Sequence, residues 1–165
     1  MTALELMEMA QRLETKKLET KKIVLNQEQI KQIIPHREPF LFLDGIVKME
    51  RDDFIIAERK VTQKDCRGHF SPPNYVFPGH LACEALAQAG SCLVLFYHPE
   101  LRGKNVTLAG TEGKFPRPIF PGDTISLTVW LKKAKLGMYF FEGRIKLNHN
   151  GLVAVSWEGI GSIAK

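Results

Sequence analysis

The sequence is short of several things, and each shortage excludes a class of protein. Its three cysteines, Cys66, Cys83 and Cys92, are odd in number and show no C-x-x-C spacing. Neither a disulfide framework nor a paired-thiol redox or zinc motif can be built from them. The N-terminus lacks the apolar h-region of a secretory signal, so a reducing cytoplasmic setting is the default expectation. No low-complexity tract divides the chain, and 165 residues suit one domain able to bury roughly two thirds of its unfolded surface. The net charge of +5 favours an acidic partner. Nothing, however, interleaves aromatics with a basic stripe as in single-strand binders, which argues against nucleic acid.

Long apolar runs are also absent, save one. Phe77 to Tyr97 reads FPGHLACEALAQAGSCLVLFY, with Leu81, Ala82, Ala85, Leu86, Ala89, Leu93 and Phe96 at helical spacing and Pro78 suited to a first turn. A helix apolar on nearly every side is a buried helix. The run is long enough to span a membrane, but Glu84, Gln88 and the interruption at Gly90 make it a core element of a globular fold with no membrane span. Glu84 must then be paired, neutralised or catalytic, because an isolated buried charge is too costly to keep.

Along the chain, residues 1–22 are dense in Leu, Glu and Lys with a repeated ETKK, which predicts an appended, solvated N-terminal helix ahead of a domain over residues 23–165. Asn26 to Ile34 predicts one short helix with Asn26 as N-cap, stopped by Pro35. Phe40 to Met49 reads as a strand with a bend at Asp44 and Gly45, and Phe54 to Val61 as the next. Four further strands follow the long helix, over Val106–Lys114, Asp123–Lys133, Met138–Asn148 and Leu152–Ser162. Hairpin-like turns are expected at Lys135–Gly137 and at His149–Gly151, where Asn150 and Gly151 are a strong turn signal. The pattern predicts an α+β fold in which an antiparallel sheet of five or six strands curls around one helix.

Three stretches in order, IIPHREPFLFLD (Ile33–Asp44), GHFSPPNYVFPGHLACEALAQAG (Gly68–Gly90) and KFPRPIFPGD (Lys114–Asp123), resemble the 3-hydroxyacyl-acyl-carrier-protein dehydratases of bacterial fatty-acid synthesis. The resemblance runs from about Asn26 to the C-terminus. It implies a hotdog fold, a curved antiparallel sheet wrapped around a central helix, and a homodimer with two active sites at the interface, often a trimer of dimers. It implies a hydro-lyase without metal or other cofactor, acting on (3R)-hydroxyacyl thioesters carried by the phosphopantetheine arm of acyl carrier protein. Carried over by residue, it assigns catalysis to His36 and Glu84. By the same analogy His69 and Phe70 shape the site and Gln88 orients nearby polar groups; from their chemistry alone, the Gly79 N–H is expected to face the thioester oxygen, and Lys114, Arg117 or Arg102 to meet an acidic carrier surface.

The chemistry suits those residue types. Eliminating water across C2 and C3 of a 3-hydroxyacyl thioester needs a base for the C2 proton and an acid for the departing hydroxyl. Burial in an apolar tunnel is expected to keep Glu84 protonated, and the helix N-terminus at Gly79 can stabilise an enolate-like oxygen. The acyl tail is expected beside Leu81 and Leu86.

Each residue has a plainer use as well. His36 could cap a helix or bond a loop carbonyl. Glu84 could pair with Arg37 or Arg117. His69 sits among turn formers, which suits a structural role. His80 and Glu84, four apart, mimic two metal ligands without a third. His80 also stands where the family places an apolar residue, next to Gly79, where it could bond the substrate carbonyl, perturb Glu84 or face away; Gly45 stands where the family places a basic residue, and the loop after Phe70 is a residue longer. A thioesterase on the same fold and a non-catalytic acyl-binding module are the competing functions.

Overall fold

The computed structural model describes residues 24–104 and 106–163, so the expected helix over residues 1–22 lies outside the described residues. The short helix begins where the sequence places it. Asn26 caps α1 (Gln27–Lys31) by accepting from the Gln29 N–H, while the Gln29 side chain accepts from the Asn26 N–H. This reciprocal pair satisfies donors that the first turn otherwise leaves orphaned. Only Ile30 of α1 is buried, and Ile33 and Ile34 follow into the core in a turn closed on the Ile30 carbonyl.

The sheet has seven strands: β1 (Leu25–Asn26), β2 (Gly45–Glu50), β3 (Phe54–Lys60), β4 (Val106–Lys114), β5 (Thr124–Lys135), β6 (Met138–Leu147) and β7 (Val153–Ile163). Their order is β1-β2-β3-β5-β6-β7-β4, with every neighbouring pair antiparallel. The two-residue β1 is the strand beyond the six expected. Alternation is clean on β5, where Ile125, Leu127 and Val129 are fully buried and Ser126 and Thr128 are not. The β5–β6 hairpin closes through Leu136 and Gly137, both at positive φ, the paired geometry that matches strand twist.

The long helix, α2 (Gly79–Tyr97), lies against this sheet, with contacts to β3, β4, β5, β6 and β7. Pro78 is its N-cap rather than a first-turn residue. By length and composition α2 could cross a membrane, but 61% of the relevant window is buried inside the fold. Leu86, Ala89, Leu93 and Cys92 form the core with Ile55, Ile125, Leu127 and Ile145 from the sheet. This is the expected α+β hotdog arrangement, one helix wrapped by a curved antiparallel sheet.

One stretch departs from expectation. Residues 40–44 are irregular, and the strand begins only at Gly45. The register irregularity falls between Ile46 and Lys48, not at Asp44. Leu41, Phe42 and Leu43 are nevertheless buried, and their backbone is satisfied by a side chain. Gln88 of α2 accepts from the Phe42 N–H at 2.9 Å and donates to the Phe40 carbonyl at 2.9 Å. A buried backbone must find partners, and here a helix amide takes the place of a neighbouring strand.

Candidate active site

Glu84 projects from the second turn of α2, and the irregular segment that Gln88 clamps brings His36 to it. His36 Nε2 lies 3.4 Å from Glu84 Oε1, and the two side chains are 25% and 22% exposed. The same Oε1 accepts from Gln88 Nε2 at 3.0 Å. One buried glutamine, 1% exposed, thus fixes both the carboxyl and the backbone opposite it. Oε1 is held in this way, which leaves Oε2 for a ligand. Arg37 and Arg117 do not pair with Glu84. Arg37 donates to the carbonyls of Lys31, Ile34 and His36, and Arg117 to that of Val153.

Glu84 and His36 stand in a cleft of mixed polar and apolar lining, about 620 Å³ with its open mouth included. Its helical side is Glu84, Ala87, Gln88, Ser91, Val94 and Leu95, one face of α2 at three- and four-residue spacing. Its far side is the start of β4 and inward side chains of β6 and β7, among them Tyr139, Phe141 and Trp157. Leu81 and Leu86 are not in it: Leu81 lines a separate hollow, and Leu86 is fully buried toward the sheet near Gly143. Trp157 donates to Thr111 Oγ1 at 2.8 Å, and only a glycine fits at 159, where an added Cβ would lie 2.0 Å from the Trp157 ring. Burial, helped by Glu100 and Asp52, pushes the Tyr139 hydroxyl pKa up.

The remaining expected site residues lie outside this cleft. Gly79 opens α2, where its N–H has no intrahelical acceptor. A side chain there would lie 2.8 Å from the Phe115 ring, so glycine permits the close approach. His69 Nδ1 lies 2.9 Å from the Val76 carbonyl; a carbonyl only accepts, so Nδ1 carries a proton, and in the neutral tautomer this leaves Nε2 as the acceptor. Phe70 follows with φ of 65°; the residue is 62% exposed, and its ring centroid lies 4.4 Å from that of His69. His80 is exposed, and among the described residues no cluster of His, Cys, Asp or Glu could hold a metal ion. Of the basic residues expected at the mouth, Arg102 instead caps α2 at its C-terminal end, donating to the Leu95 and Phe96 carbonyls.

Sequence reasoning did not anticipate Ser91, Tyr139 and Trp157. A helix apolar all round gives no periodic signal for which face lines a cleft, and the small residues Ala87 and Ser91 one turn apart were the available hint.

Comparison with known proteins agrees with this geometry. A family model described as a FabA-like domain matches residues 34–156. The chain is 42% identical over 118 residues to a 3-hydroxyacyl-[acyl-carrier-protein] dehydratase FabZ of Roseiflexus castenholzii, covering 70% of this chain and 81% of that one. It is 39% identical over 140 residues to the FabZ of Staphylococcus aureus strain JH9, covering 82% and 92%. Among solved structures, the dehydratase heterocomplex ApeI:P of Xenorhabdus doucetiae aligns with a TM-score of 0.69 at 18% identity, over 82% of this chain and 91% of that one. The E. coli PaaI protein of the phenylacetic acid degradation operon aligns at 0.56 and 17% identity, over 71% and 80%. The two structural likenesses concern the fold alone.

Proposed function

The chain belongs to the FabA-like family, and from that premise we infer that it is a hydro-lyase converting (3R)-hydroxyacyl thioesters to trans-2-enoyl thioesters in fatty-acid biosynthesis. The observation that carries the reading is Glu84 in the wall of the cleft, held by Gln88 through one oxygen with the other left for substrate. In the reaction a histidine takes the C2 proton, the C2–C3 double bond forms, and Glu84 as general acid delivers a proton to the C3 oxygen as water leaves. Negative charge gathering on the thioester oxygen is met by the Gly79 N–H at the positive end of α2.

Two histidines compete for the role of base. His36 is already beside Glu84, 3.4 Å away, as the sequence assignment requires. Its Nε2 faces that carboxyl, however, and its Nδ1 is buried without a hydrogen-bond partner, so neither nitrogen is both anchored and free. His69 has Nδ1 anchored and Nε2 bare, which is the arrangement of a prepared base. We therefore assign His69 as base, Glu84 as acid, and His36 as a positioning residue for Glu84. His69 and Glu84 do not share a cleft within one protomer, and a second copy would bring them together. Exposed Phe70, Phe115, Phe120 and Leu108 supply apolar surface for such a homodimer.

The acyl group is proposed to arrive on the arm of an acyl carrier protein, whose acidic surface suits the chain's positive charge and exposed Lys114. A cytoplasmic location, with three free buried thiols, and a catalytic domain over residues 23–165 complete the reading. The test incubates the protein with 3-hydroxyacyl and 2-enoyl thioesters, following enoyl absorbance and free thiol together. Reversible interconversion without thiol release is expected. Thiol release identifies a thioesterase, and inertness toward both identifies an acyl-binding module.

A further inference from the structure

The cleft beyond Glu84 has a definite course. Its helical wall runs from Glu84 to Leu95, roughly 16 Å at the ordinary rise of an α-helix. Two features keep its middle open. On the helix Ala87 and Ser91 are small and one turn apart. Opposite, the Phe141 ring is laid against Gly90 and Gly161, where added Cβ atoms would meet it at 3.2 and 3.4 Å. Both glycines thus leave room for the ring to lie back against them at the wall of the passage. The far end is different: there the lining includes Leu95, near the end of α2, and Tyr139, at the start of β6, together with Val106 and Ile163.

We propose that Ser91 and Tyr139 set the acyl-chain length this enzyme accepts, Ser91 by leaving the slot open at its midpoint and Tyr139 by closing its end. This deepens the dehydratase reading and rests on it. An extended chain advances about 1.2 Å per bond, from roughly 3.5 Å per three-bond residue, so a slot of roughly 16 Å holds about a dozen carbons beyond the reacting pair. The substrate class is a straight, medium-length acyl chain. Longer tails press on Tyr139.

The test is a series of 3-hydroxyacyl pantetheine thioesters of increasing length, with kcat/KM measured for the full chain and for Ser91→Leu, Ser91→Val and Tyr139→Ala. The readout is the ratio of kcat/KM for long over short substrates. One methylene too many in an apolar pocket is worth about tenfold or more. That ratio should therefore fall at least about tenfold in Ser91→Leu, fall less in Ser91→Val, and rise at least about tenfold in Tyr139→Ala for chains beyond the ceiling. Circular dichroism and thermal melts confirm that each variant is folded. The valine variant, a smaller enlargement than leucine, carries the test should leucine unfold the protein. Variants that keep the wild-type ratio at every length overturn the assignment while leaving the dehydratase reading intact. A wild-type protein that dehydrates no thioester overturns both.

Discussion

At the scale of single residues, the buried polar groups are the most sensitive points. Arg59 is 7% exposed and donates to Asp44 at 2.8 Å and Asp65 at 2.6 Å. Burial alone would lower its pKa, and the two carboxylates outweigh that and hold it raised. Asp65 is itself 7% exposed and also accepts from the Thr62 N–H, tying the short 3₁₀ turn Gln63–Cys66 to β3. Arg59→Ala leaves that carboxylate without its counterion, and urea unfolding should show a loss of about 3–5 kcal/mol. The thiols act at the other end of the pH scale. Burial, with help from Asp65, pushes Cys66 to about 11, and burial against a weaker opposing effect of Arg102 pushes Cys92 to about 12. Below 9.0, the ordinary thiol value, folded and unfolded chains both keep these protons and stability is complete. Above it the unfolded chain ionises first, so stability falls as pH rises toward the folded values. Cys92→Ala should flatten that alkaline decline in urea midpoints measured between pH 9 and 11, though it lowers stability at pH 7 by opening a cavity.

At the scale of elements, the packing of the irregular segment onto α2 is the arrangement on which the site depends. Gln88→Ala removes the bonds to the Phe42 N–H, the Phe40 carbonyl and Glu84 together. Two backbone groups lose their partners, and at about 1–3 kcal/mol for each orphaned buried group the stability loss should be about 2–6 kcal/mol by denaturant unfolding. Hydrogen exchange should locate the loosening at residues 40–44. If those amides stay protected, the clamp is not what holds the segment. This same segment shows where the sequence could be read and where it could not. FLFLD has the composition of a strand, and its burial was legible; what replaced the ladder was a single amide 46 residues away from Phe42, for which no local signal exists. The six longer strands and α2 follow alternation and helical spacing closely, because a face pressed on a core must repeat with the period of its backbone. The turn at Phe70, by contrast, puts a bulky residue at positive φ, which propensity argues against.

At the scale of the whole molecule, the edges of the sheet matter. β4 is an edge strand in which most residues are exposed, Leu108 among them. A protein with a long unpaired edge and several half-exposed phenylalanines has strong reason to associate. The assignment of His69 as base requires that association, because its partner acid would stand on the other copy. Subunit mixing tests the point. Glu84→Gln and His69→Ala chains should each be inactive alone. In a mixed homodimer, however, one of the two sites receives wild-type His69 from the first chain and wild-type Glu84 from the second. For equal co-expression with random pairing in a two-fold dimer, about a quarter of wild-type activity should return. His36 acts within its own chain, 3.4 Å from Glu84, so mixing His36→Ala with Glu84→Gln should restore nothing beyond the residual activity of the separate variants. Recovery in the second mixture but not the first would make His36 the base supplied across the interface; recovery in neither would place the whole site within one chain and overturn the shared site.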